Sequence, residues 1–199
     1  MQRFELQKNN LNPTFIGSWI SDNLNYCNKI IDYFESNKSR QIKGVSLDGF
    51  NSNVKDTMDI IIRPKEILLE KNKIFKDYFQ HLFKCQKDYI DQWPFLIDLG
   101  FKYQIGSFNL QKYIPGQHFR RIHTERSSID SLHRVFAFMT YLNDVEEGGT
   151  TYFSHYDLEV KPKKGLTLIW PAEWTHAHRG NEVKSGNKFI ITGWINFAV

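Results

Sequence analysis

The sequence predicts a mainly β domain with bracing α-helices, folded as a double-stranded β-helix, or jelly roll. Three observations carry this. From Phe101 onward, apolar and polar residues alternate with a period of two, the spacing at which a strand divides its side chains between two faces. Turn residues interrupt that alternation at short intervals: Pro115 with Gly116, the run from Glu146 to Gly149, and Pro162 with Gly165. Helical spacing is confined to the part of the chain before Pro94. Short antiparallel strands joined by such turns imply a jelly roll. The 199 residues suffice for one domain with a substantial core. We therefore expect a single domain over 1–199, with 1–100 as helical support and lid region and 101–199 as the jelly-roll core.

In order along the chain, residues 13–20 read as a strand or extended entry segment. Ser21 or Asp22 can cap a helix over 22–36, where Leu24, Cys27, Ile30, Ile31 and Phe34 recur at helical spacing. Residues 37–59 are rich in Asn, Ser and Gly and read as irregular, with short strands at most near 42–47 and 56–61. Such a segment can be a lid over a site or a plain connection. A second helix is expected from about 65 to 93, on the period of Ile74, Tyr78, Leu82, Tyr89 and Trp93, and ended by Pro94. His81 reads as solvated on that helix. The junction at 95–105 lacks linker composition, so the helices should pack on the barrel.

The β part begins with Asn109, Gln111 and Tyr113 on one face and Phe108, Leu110 and Ile114 on the other. Residues 134–143 are apolar on both faces, as in a central strand. Thr150 to Phe153 is expected to pair back after the acidic turn, followed by strands at 157–161 and 165–170. Residues 187–197 form the last strand. One face carries Phe189, Ile191, Gly193, Ile195 and Phe197, a core face. The other carries Lys188, Ile190, Thr192, Trp194 and Asn196.

Composition narrows the function classes. Hydrophobic residues at 41% and charged residues at 24% are ordinary for a globular chain. A net charge of +4 from dispersed basic residues gives no footprint for nucleic acid. The aromatic content fits a β-rich core, or a groove for a peptide or base. Cys27 and Cys85 fall on helical apolar faces and read as reduced thiols, pointing to a cytoplasmic location. No apolar run reaches the roughly 20 residues of a membrane span.

Two features point to chemistry. His123 and Glu125 are separated by one residue, which on a strand places an imidazole and a carboxylate at adjacent corners of one metal ion. A third ligand must come from elsewhere. Two histidines and a carboxylate suit non-haem Fe(II) and O₂; zinc accepts the same atoms. The second feature is Lys188. An ammonium on a buried strand requires an anion, and a dicarboxylate ligand would supply one; the alternative is a lysine at the strand end reaching solvent.

The spacings here are specific. His178 and Lys188 are ten residues apart, and Tyr113 precedes His123 by ten. Between them, residues 134–153 carry a strand, Tyr141-Leu142-Asn143, an acidic turn and Gly148-Gly149-x-Thr151-x-Phe153. Over residues 105–197 this resembles the Fe(II)/2-oxoglutarate dioxygenases of the prolyl 4-hydroxylase type. The resemblance implies Fe(II) held by His123, Glu125 and His178, and Lys188 paired with the distal carboxylate of 2-oxoglutarate. It implies that Tyr113, Tyr141 and Thr192 hydrogen-bond that co-substrate and that Trp194 lines its pocket. O₂ is the second co-substrate and ascorbate a candidate reductant. Glu125 stands where the family usually has Asp, and Lys188 where several relatives have Arg.

Other histidines are rivals. His176 shares a face with His178; His118 and His133 flank the first pair; His155 reads as solvated. The implied reaction is hydroxylation of a substrate C–H, with a prolyl residue of a peptide or protein as the leading candidate. A free amino acid or small metabolite is the second, and a non-catalytic jelly-roll binding module the third. No nucleic-acid or membrane partner is expected, and the sequence leaves the oligomeric state open. Substrate contacts are expected from residues 37–59 and 124–133.

Overall fold

The computed structural model describes residues 1–4, 13–46, 49–67, 69 and 73–198. Strands are numbered here in chain order. An eight-stranded sheet runs in the order β1 (Gln2–Arg3), β2 (Gly17–Ile20), β12 (Leu166–Pro171), β8 (Arg134–Tyr141), β15 (Lys188–Phe197), β6 (Tyr103–Tyr113), β5 (Met58–Ile62) and β3 (Ile42–Lys43). A five-stranded sheet opposes it, in the order β11 (Leu158–Val160), β10 (Thr151–Phe153), β13 (His178–Gly180), β7 (His118–His123) and β4 (Lys55–Asp56). A small ribbon joins β14 (Val183–Ser185) to β9 (Glu147–Gly148). Two antiparallel sheets face to face form the expected jelly roll.

The centre of the large sheet is buried on both faces, and β15 shows why its sequence lacks an obvious solvent side. Phe189, Ile191 and Ile195 face a core shared with the helices, whereas Ile190 and Trp194 face the space between the sheets. The helical core packs Ile30 and Phe34 of α1 (Asn25–Ser36) and Phe79 and Leu82 of α3 (Phe75–Gln92; α2 is Pro64–Ile67) against Phe108 and Phe138 of the sheet. Gly193 is required there, since an added Cβ would lie 2.7 Å from the Phe138 ring and 2.8 Å from Phe108. A final short helix, α4 (Phe95–Asp98), follows Pro94. No helix among the described residues is long and apolar enough to cross a membrane.

Several elements differ from expectation. The helix expected over 65–93 is two helices, the turn α2 and the long α3; residues 68 and 70–72 of that expectation lie outside the described residues. The first helix begins at Asn25 rather than at 22. Thr150 to Phe153 does not pair back on β8. β10 crosses to the other sheet and pairs with β11 and β13, as a jelly roll demands of alternate strands. The later part of residues 37–59 is not a free lid: β4 pairs with β7 and β5 with β6, so it is woven into both sheets. His81 is buried, not solvated. It lies three residues after Tyr78 and four before Cys85, on the buried stripe of α3, and its Nε2 meets Thr167 Oγ1 at 3.0 Å. Burial lowers its pKa to about 4, so the ring is neutral there.

Candidate active site

The site lies between the sheets, where β7 and β13 are paired in register at His123 and His178. Glu125 comes from just beyond β7. The strand ends at His123, so the carboxylate is not on the strand, contrary to the expectation from spacing. The chain leaves the sheet because its next partners lie elsewhere. Thr124 Oγ1 and Arg126 N both donate to Ala172 O at 2.9 Å, and Arg134 Nη1 donates to Glu125 O at 2.7 Å.

One ligand atom from each of His123, Glu125 and His178 lies within 4.8 Å of the others. Among the described residues no other group of three or more His, Cys, Asp and Glu could hold a metal ion. Each histidine is oriented through Nδ1, His123 toward Arg121 O and His178 toward His176 O, both at 2.9 Å. Those contacts assign the ring proton to Nδ1 and leave Nε2 as the ligating nitrogen. Glu125 Oε1 lies 3.3 Å from His178 Nε2 and 4.0 Å from His123 Nε2. Lone pairs so opposed require a shared cation. Burial pushes the Glu125 carboxyl up, but the His178 contact and the Trp194 N–H outweigh it and bring it to about 2. Burial and the neighbouring His178 take His123 down to about 4. A neutral imidazole and an ionised carboxylate are the forms a divalent metal needs. Phe119 stacks on His123 at 3.8 Å, and Phe153 and Trp170 flank His178, so the surround is aromatic.

From His178, β13 leads to Gly180, which lies beside Lys188. An added Cβ on Gly180 would lie 3.8 Å from Lys188 Nζ and 3.6 Å from Phe119 Cβ. Lys188 is 2% exposed, so the strand-end alternative does not hold. Its Nζ donates to Gly149 O at 3.0 Å and sits 4.2 Å from the centre of the Tyr113 ring. Gly149 reaches it from a left-handed backbone, φ +66°. Among the described residues no carboxylate pairs with Lys188, and burial takes its pKa down to about 7. A buried ammonium with donors to spare fits a ligand carboxylate.

The other expected contacts have partners inside the protein. Tyr113 OH donates to Gln111 Oε1 at 2.8 Å, Gln111 Nε2 donates to Asp59 Oδ2, and Thr192 Oγ1 donates to Phe138 O at 3.0 Å. The Tyr141 hydroxyl lies 2.6 Å from Thr151 Oγ1 and 3.3 Å from Val160 O. Trp194 is a larger surprise: its indole Nε1 donates to Glu125 Oε2 at 2.7 Å. Period two already put Trp194 on the polar face of β15, but the partner of its N–H was not readable. The stacking of Phe119 on His123, four residues apart on one strand face, was readable and missed.

The rival histidines lie outside the ligand group. His176 Nε2 meets Thr14 O at 2.9 Å, and the residue contributes its carbonyl to His178 instead. His118 is buried toward the other end of β7, whereas His133 and His155 are exposed.

Comparison with known proteins agrees with this geometry. Residues 108–196 match the model of the 2OG-Fe(II) oxygenase superfamily. The chain is 32% identical to "Probable prolyl 4-hydroxylase 9" of Arabidopsis thaliana over 115 residues, which cover 45% of this chain and 40% of that protein. The match thus spans well under half of that relative's length. Among solved structures, the viral collagen prolyl hydroxylase of Paramecium Bursaria Chlorella virus-1, as its 2OG complex, superposes with a TM-score of 0.63 at 20% identity, covering 94% of this chain and 98% of that one. A prolyl hydroxylase from Trichoplax adhaerens, in complex with a hypoxia inducible factor oxygen degradation domain peptide fragment, gives 0.67 at 13% identity, covering 94% and 86%. These structures show the shared fold, and residues 108–196, which carry His123, Glu125, His178 and Lys188, are similar to the 2OG-Fe(II) oxygenase superfamily, with prolyl 4-hydroxylases among the relatives.

Proposed function

We propose that the protein is an Fe(II)- and 2-oxoglutarate-dependent dioxygenase that hydroxylates a prolyl residue in a peptide or protein. The observation that carries this is that β13 brings two features together. His123, Glu125 and His178 converge on one point, and Lys188 waits further along the strand with no counter-ion among the described residues. Fe(II), when bound, supplies O₂ activation coupled to oxidative decarboxylation of 2-oxoglutarate. The chain's own residues do the rest. The two histidines and Glu125 would hold the metal from one side, leaving the other for co-substrate and O₂. Lys188 would hold the far carboxylate and so set the distance of the keto acid from the metal. Phe119, Phe153 and Trp170 exclude water from the reacting centre.

Exposed apolar groups beside the Glu125 bend support a peptide as substrate. Ile129 and Leu132 project from the segment after it, and Trp174 from a neighbouring segment tied to it by the Arg126–Glu173 ion pair. Buried free thiols at Cys27 and Cys85 support a reducing, cytoplasmic setting. The test is succinate formation from 2-oxoglutarate with Fe(II), across proline-containing peptides, free amino acids and methylated oligonucleotides. Stimulation by the peptides is expected. Stimulation by free amino acids alone would favour a small-molecule hydroxylase, and absence of turnover would favour a binding module.

A further inference from the structure

The two oxygens of Glu125 are divided between two tasks. Oε1 faces the Nε2 atoms of His178 and His123, whereas Oε2 accepts the Trp194 N–H at 2.7 Å. Trp194 is itself fixed. It is clamped between the pairing of β15 with β8 and the guanidinium of Arg134, which lies 3.7 Å from the centre of its ring. Arg134 also donates from Nη1 to Glu125 O, and the same nitrogen lies 4.0 Å from Oε2. One stack therefore holds both the backbone and the outer oxygen of the residue.

The need for it follows from side-chain length. A glutamate carries one more rotatable bond than an aspartate and, left alone, swings its carboxylate through several rotamers. It can also turn both oxygens onto a metal and use a second coordination position. A donor locked onto Oε2 removes both freedoms. An aspartate on the same backbone is shorter by about 1.5 Å, so it can reach the metal position or the indole but not both.

We infer that Trp194 is a positioning residue for this site. Braced by Arg134, it holds Glu125 so that Oε1 alone is presented to the metal, which lets a glutamate serve where a shorter carboxylate would need no such support. This rests on the proposed metal site, and the test separates the two. Co(II) serves as a spectroscopic stand-in for Fe(II), and its affinity and visible absorption are measured for the parent, Trp194→Phe, Glu125→Asp and the double variant. Thermal melting of each checks that it folds. In the Glu125 background, Trp194→Phe should weaken Co(II) binding by about tenfold, as loss of a hydrogen bond to a charged group predicts, and should change the visible bands. With Asp at 125, the same replacement should change affinity by less than about twofold, because there is no contact to lose. Equal losses in both backgrounds would show that Trp194 acts on the fold and not through the carboxylate, which overturns the inference. An unchanged affinity and spectrum in Trp194→Phe would overturn it too. If the parent binds no Co(II) or Fe(II), the metal site itself fails and the inference falls with it.

Discussion

Lys55 and Lys188 are two buried ammonium groups in the same half of the molecule, and their surroundings are opposite. Lys55, 5% exposed, meets Asp59 Oδ2 at 2.7 Å, and Asp59 also accepts from Thr57 and Gln111. That region is closed: charge meets charge and every oxygen of the carboxylate is used. Lys188, 2% exposed, has a carbonyl and an aromatic face but no anion among the described residues. The contrast separates a lysine that completes a structure from one that awaits a ligand. Burial without a counter-ion is unfavourable, so its persistence at Lys188 points to a partner outside the chain.

The strongest way to break the comparison is to remove the counter-ion from one and the charge from the other. Asp59→Asn should strand Lys55 and destabilise the protein by about 3–5 kcal/mol, read as a fall in the urea midpoint. Lys188→Met removes an unmatched charge and should leave the midpoint of the ligand-free protein unchanged or higher. A similar fall in both would mean that Lys188 is also structurally paired.

A pH series sharpens the contrast. Burial lowers the Lys188 pKa from 10.5 to about 7. Between those values the unfolded chain binds the extra proton, so this group makes the ligand-free protein more stable as pH rises through the window. A bound carboxylate reverses the preference, since it needs the ammonium. Affinity for 2-oxoglutarate should therefore fall as pH rises above about 7, by roughly fivefold between pH 7 and pH 8. Titration calorimetry in buffers of different ionisation enthalpy should show proton uptake on binding. A flat profile would mean that Lys188 keeps its proton without help. The smallest effect is expected from Lys188→Arg, which keeps the charge but presents a planar fork; a weakening of about threefold, on the order of 0.6 kcal/mol, is expected in the same titration.

The same contrast explains what was legible in the sequence. Period-two alternation in β6 and β15, with β8 apolar on both faces between turn signals, was enough for the jelly roll, because the faces of β6 and β15 meet different neighbours. Lys188 stood out because a charge on an otherwise apolar strand breaks that pattern. The Lys55–Asp59 pair did not stand out, since its residues fall in a segment that reads as polar loop and becomes buried only when β4 and β5 join two sheets. Glu125 was legible as a residue but not in its setting. Spacing suggested a strand face; the hydrogen bonds to Ala172 that pull it off the strand span 48 residues from Thr124 and 46 from Arg126. The bond from Trp194 spans 69 residues and has no local signature.

The central claim is that Lys188 and the His123, Glu125 and His178 group are two ends of one binding site. It is tested most directly by titrating 2-oxoglutarate into the Mn(II)-loaded parent and the Mn(II)-loaded Lys188→Met variant. A charge-assisted hydrogen bond in a shielded pocket contributes roughly 1.5–3 kcal/mol, so the variant should bind 2-oxoglutarate about tenfold to a hundredfold more weakly, with Mn(II) affinity within a few-fold of the parent. Equal 2-oxoglutarate affinity in parent and variant, or none in the parent, would contradict it.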